Sequence, residues 1–125
     1  KLQKSSDEKA HKMYAAQQAL FYHLHKQNIV VKKGFMLKSQ GVYHEKGVDV
    51  RIAIDIVRGA LKDEYDTCFV VSSDSDILPA IRDAMSVGKK LVYVAFEGSV
   101  VSRALAINCS YTTFITKSML EQCAL

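Results

Sequence analysis

The sequence holds no CxxC pair, no apolar run near the roughly 20 residues of a membrane span, and no glycine-rich phosphate loop. Its three cysteines, Cys68, Cys109 and Cys123, are odd in number and far apart. That argues against a zinc site and against a disulfide framework, and predicts reduced thiols in a cytoplasmic protein. No secretory signal is visible, and no membrane association is expected. The first residue is Lys1 rather than Met, so the numbering is expected to start inside a longer protein. There are no repeats, no low-complexity tracts and no Cys–His pair that suggests a nucleophile. His23 and His25 stand two apart on a predicted helix and face different ways. His44 falls in a loop before Lys46.

What is present is a globular composition, with 49% hydrophobic and 24% charged residues in 125. This length suits a single domain with a real core. The formal net charge of +4 suits a polyanionic partner such as nucleic acid.

Apolar periodicity lays out alternating elements. Ser5 and Glu8 form a capping-box pattern ahead of an amphipathic helix predicted from about Asp7 to Gln27, ended by Asn28. Ile29-Val30-Val31 begins a predicted strand to about Leu37, and the polar stretch 38–47 reads as a loop or hairpin. A second helix is predicted from Val48 to about Asp63, in which Gly59 is either a tolerated cost or a place of close packing. Cys68-Phe69-Val70-Val71 is a short apolar run that fits a strand covered on both sheet faces. Pro79 suits the first turn of a helix to about Val87, capped by Gly88. Lys90–Phe96 is another strand, Gly98-Ser99 opens a helix to about Ile107, Thr112–Thr116 is a last strand, and a short helix closes the chain. This alternation predicts an α/β fold with a mainly parallel sheet and helices on both faces.

Sites in open parallel sheets form at the carboxyl ends of strands. The turn Ser72-Ser73-Asp74-Ser75-Asp76 occupies such an end and offers two carboxylates at the start of a helix, where the amide dipole favours negative charge. A hard cation such as Mg²⁺ or Mn²⁺, with oxygen ligands, would relieve their mutual repulsion. Asp and Ser are also the favoured helix caps, and one of them is expected to cap here. A second acidic segment runs from Lys46 to Asp55. Asp49 lies in the first turn of its helix, and Asp55 has Arg51 and Arg58 within reach for surface ion pairs.

Lys46-Gly47-Val48-Asp49-Val50 and Val70-Val71-Ser72-Ser73-Asp74-Ser75-Asp76, about twenty residues on, resemble the two signature segments of the NYN domain. That domain is a branch of the PIN-like nuclease superfamily, and the resemblance is strongest to its bacterial LabA-like group. It extends through Gly88-Lys89-Lys90 and back into the first helix. The resemblance implies a three-layer Rossmann-like fold and an acidic Mg²⁺ or Mn²⁺ site that cleaves RNA in active members. Carried over by position, Asp49, Asp74 and Asp76 are the metal-site and catalytic carboxylates, with Asp55 as a further acidic position. Several converging carboxylates are what metal-assisted phosphodiester hydrolysis requires.

Family members begin with a strand that bears an Asp and then an Asn. Nothing of this kind precedes Asp7, so an N-terminal portion is expected to lie outside these residues. Ser73 stands where the family commonly has Gly. Lys46, Lys89, Lys90 and Arg103 are candidate phosphate contacts, Lys46 foremost because it lies inside the motif. Ser99 is placed on the same sheet end as Asp74, as a helix cap or an RNA contact. The expectation is a metal-dependent ribonuclease domain with RNA as partner. The alternative is a non-cleaving RNA-binding or regulatory module on the same fold. An exposed strand edge would favour a homo-oligomer.

Overall fold

The computed structural model describes residues 2–124, with side chains from residue 6 onward. The chain divides into two compact units, Lys1–Lys33 and Gly34–Leu125. The first contains helix α1 (Leu2–Lys26). The helix starts before Ser5 and Glu8, so the predicted capping box falls inside it rather than at its end. Its other end matches expectation. Asn28 takes a left-handed φ of 61°. Its N–H reaches His25 O at 3.0 Å, and Ile29 N–H reaches Leu24 O at 2.9 Å. These are the paired bonds of a Schellman termination.

The second unit opens with a two-stranded antiparallel ribbon, β1 (Phe35–Ser39) and β2 (Val42–Lys46). Gln40 and Gly41 link the strands with φ of 51° and 78°, the two-residue turn that suits the strand twist. A two-residue link allows only antiparallel pairing, because a parallel return needs a crossover of a dozen residues or more. This also explains why the strand predicted from Ile29 begins only at Phe35. Phe35 pairs with Lys46, and the chain turns at Gly47 into the next helix, so residues 29–34 meet no continuation of β2.

Helix α2 (Val48–Leu61) is followed by β3 (Thr67–Val70), a 3-10 turn (Ser75–Ile77), α3 (Leu78–Ser86), β4 (Lys90–Phe96), α4 (Arg103–Asn108), β5 (Tyr111–Ile115) and α5 (Lys117–Cys123). Strands β3, β4 and β5 form a parallel sheet in that order. The fold is therefore α/β with separate parallel and antiparallel sheets; the mainly parallel expectation describes β3–β5 and not Phe35–Lys46. Pro79 lies in the first turn of α3, and Gly88, at φ 89°, follows its end as expected.

β4 is the central strand. Leu91, Val92, Tyr93, Val94 and Ala95 are all buried, as a strand covered on both faces must be. Leu91, Tyr93 and Ala95 join Ile56 and Ala60 of α2 and Ile81 of α3 in one core cluster. Gly59 is a place of close packing. A Cβ there would stand 2.7 Å from the Tyr65 ring, whose hydroxyl donates to Ile56 O at 2.6 Å. No helix among the described residues is long and apolar enough to cross a membrane.

Candidate metal centre

β3 ends at Val70, and the chain leaves the sheet through Val71, Ser72 and Ser73. Two short-range hydrogen bonds shape the turn from Ser72 to Asp76. Ser72 Oγ accepts from Asp74 N at 3.1 Å, and Asp74 Oδ1 accepts from Asp76 N at 2.9 Å. Asp74 is therefore the cap of the 3-10 turn that leads into α3. Capping occupies one lone pair of a carboxylate that has about four acceptor positions, so Asp74 keeps acceptors for a second partner. Ser73 is absent from the positive-φ residues, so the turn asks nothing of Ser73 that only glycine can supply.

The third acid arrives from the other motif. Gly47 adopts φ 83° immediately before α2, and the Phe35 ring fills the space a Cβ would need, 2.8 Å away. This tight, left-handed corner starts α2 at Val48 and puts Asp49 in its first turn. One carboxylate oxygen from each of Asp49, Asp74 and Asp76 then lies within 4.8 Å of the others, and all three residues are exposed. Around a Mg²⁺-sized ion with bonds of about 2.1 Å, neighbouring ligand oxygens stand about 3.0 Å apart and opposite ones about 4.2 Å. An all-oxygen, anionic donor set suits a hard divalent cation.

Asp49, Asp74 and Ser72 also line an open cleft of about 500 Å³ together with Glu45, Lys46, Gly47, Val48 and Ile52. Lys46 thus shares the cleft with the acids, as its position in the motif suggests. Glu45 is a cleft residue that sequence reasoning missed; its place beside Lys46 in the motif was the available signal.

The remaining candidates are dispersed. Asp55 is half-buried and stands outside the acidic trio. It lines an adjoining cleft of about 410 Å³ along β3, with Tyr65 and Phe69, and Ile52 and Ser72 line both clefts. Six residues on a helix amount to about 240° of rotation, so Asp49 and Asp55 leave α2 on different sides. Lys89 and Lys90 sit at the opposite edge of the sheet. Lys90 pairs with Thr67 at the amino ends of β3 and β4, whereas the acidic turn follows the carboxyl end of β3. Lys89, its side chain only 10% exposed, is bound to Asp63 and lies 3.8 Å from Asp66. That bond holds the Asp63 carboxyl below its ordinary pKa.

Ser99 lies at the carboxyl ends of β3 and β4, in a cleft with Ser72, Ser73 and Phe96. It does not cap a helix: its hydroxyl donates to Phe96 O at 2.8 Å. Ser102 caps α4 instead, accepting from Leu105 N, and α4 starts at Arg103 rather than at Ser99. Arg103 is exposed.

Three carboxylates and a lysine lie beside the carboxyl end of a parallel strand, and the three acids could coordinate a divalent cation. The chain belongs to the NYN domain family, a PIN-like nuclease family, whose model matches residues 4–118. It is also similar to an uncharacterised protein of Methanocaldococcus jannaschii, 40% identical over 50 residues. That alignment covers 40% of this chain and 21% of the archaeal protein, so the match spans about a fifth of that relative. No solved structure matches the chain.

Proposed function

We propose that this domain is a metal-dependent ribonuclease that hydrolyses RNA phosphodiester bonds at the Asp49–Asp74–Asp76 centre, on the three-layer Rossmann-like plan of its family. The observation that carries this reading is the convergence of the three carboxylate oxygens within 4.8 Å. Asp49, Asp74 and Asp76 would hold Mg²⁺ or Mn²⁺, which when bound supplies water activation and neutralises phosphate charge. Asp74, fixed by its hydrogen bond to Asp76 N, presents its free lone pairs in a set direction. Lys46, at the end of β2, lines the same cleft, and its ammonium would offer a counter-charge to a phosphate oxygen there. Arg103 and Ser99 are further backbone contacts in this reading. Lys89 and Lys90 would touch RNA only beyond the cleft.

The test is cleavage of labelled RNA with Mg²⁺ or Mn²⁺. Asp74→Asn and EDTA should each abolish cleavage. Cleavage that survives both sinks the reading. The alternative, an RNA-binding module that does not cleave, draws on the exposure of all three acids. It predicts RNA binding by wild type with no turnover under any divalent ion.

A further inference from the structure

The net charge of +4 is not shared evenly along the chain. Residues 1–33 carry seven lysines against Asp7 and Glu8, a formal +5. Residues 34–125 carry ten Lys or Arg against eleven Asp or Glu, a formal −1. The change of sign falls where the chain divides into its two units. The second unit is close to neutral and bears three clustered carboxylates. The excess positive charge that attracts a polyanion at long range therefore lies in the first unit.

α1 organises that charge. Lys9, Lys12, Ala16, Ala19, His23 and Lys26 succeed one another at steps of three and four residues, which keeps all six on one side of the helix. All six are exposed, and Glu8, whose carboxylate pairs with Lys12 at 3.5 Å, lies on the same side. The stripe is about 26 Å long from Lys9 to Lys26 at 1.5 Å per residue. Met13, Leu20 and Leu24 are centred roughly a quarter of a turn away, so the basic stripe borders the apolar face rather than coinciding with it. Alanines between the cations leave room for a backbone to approach. Lys26 Nζ lies 5.1 Å above the ring of the exposed Tyr22, at the margin of the stripe. Cations interleaved with aromatic rings are the chemistry of single-stranded nucleic-acid surfaces, where rings stack on bases and cations track phosphates.

We propose that RNA affinity resides in the first unit: the Lys9–Lys12–Lys26 stripe holds the phosphate backbone, and Tyr22 stacks on an unpaired base. The identity of the polyanion rests on the ribonuclease reading above; the location of its binding surface rests on the charge division and the stripe.

The test is fluorescence anisotropy of a labelled single-stranded RNA with the intact chain in EDTA, at stepped salt. The combined variant Lys9→Gln, Lys12→Gln, Lys26→Gln should weaken binding about tenfold or more at low salt. Its slope of log affinity against log salt should fall by about 2, from about 0.7 per lost phosphate contact. Replacing the same three lysines with arginine should retain affinity, and circular dichroism should show α1 intact in both. An unchanged dissociation constant overturns the proposal. So does an equal loss in a Lys46→Gln, Arg103→Gln variant, or tighter binding to phosphatidylserine-containing vesicles than to RNA. Binding in EDTA requires no turnover, so a protein that binds through α1 and never cleaves defeats the ribonuclease reading alone. A protein that cleaves but is indifferent to the three lysines defeats this one alone.

Discussion

Asp74 Oδ1 accepts a hydrogen bond from the backbone N–H of Asp76 at 2.9 Å, so the same carboxylate caps the 3-10 turn and belongs to the acidic trio. Structure and chemistry can be separated there. Asn caps about as well as Asp, whereas Ala does not cap. Asp74→Asn should therefore keep its melting temperature close to wild type while Mn²⁺ affinity and cleavage collapse. Asp74→Ala should lose both, with a stability cost of about 1 kcal/mol. Calorimetry beside Mn²⁺ titration checks this, and an Asn variant that retains metal affinity would remove Asp74 from the site.

Gly47 carries the corner that delivers Asp49. Its φ of 83° and the adjacent Phe35 ring both oppose a side chain. Gly47→Ala should destabilise by roughly 1–3 kcal/mol and weaken divalent-ion binding as well. Gly41→Ala is the control. Gly41 also has positive φ, but open space surrounds it, so the cost should stay near about 1 kcal/mol with metal binding unchanged. Urea unfolding of the two variants, with Mn²⁺ titration, distinguishes them.

At Gly59 the usual sign of a helix substitution should reverse. Glycine to alanine inside a helix ordinarily stabilises by about 1 kcal/mol. Here the new methyl meets the Tyr65 ring at 2.7 Å and threatens the hydroxyl's bond to Ile56 O. Gly59→Ala should lower stability, and Tyr65→Phe should cost about 0.5–1.5 kcal/mol through the lost hydrogen bond. A stabilised Gly59→Ala, read by thermal melting, would show that the ring moves aside freely.

The Asp63–Lys89 pair predicts a small acid sensitivity. Lys89 lowers the Asp63 pKa from 3.8 in the folded state. The contribution is present above the unfolded value and is lost as pH falls through the lower folded value. Wild type and Asp63→Asn should differ by a constant melting-temperature gap above about pH 5, which closes below about pH 4. Asn also tolerates the left-handed φ of 56° at this position. The exposed carboxyl makes the gap modest and smaller at high salt. A gap that widens toward low pH would contradict the pairing.

Much of the fold is legible in the sequence because it rests on local rules. The apolar period marks α2, α3 and β4 to within a few residues, and Asn28, Pro79 and Gly88 end or open helices where backbone preference says they should. The errors lie where a distant partner decides. Ile29-Val30-Val31 has strand composition, but a strand requires something to pair with, and the ribbon is used up at Phe35–Lys46. Ser99 is a reasonable helix cap by composition, yet the loop runs on to Ser102 before α4 begins, and Tyr93 Oη accepts from Ser102 N at 3.1 Å.

By itself the sequence determined the acids of the candidate centre. Strand, Ser-rich turn and helix succeed one another around Asp74 and Asp76, and Gly47 precedes Asp49, so local backbone direction already aims these residues. Tertiary structure decided which candidates meet. Helix phase sends Asp55 into a different cleft from Asp49, and parallel strand polarity puts Lys89 and Lys90 at the far edge of the sheet. Convergence of side chains from separate elements is a property of how those elements pack, and no local preference encodes it.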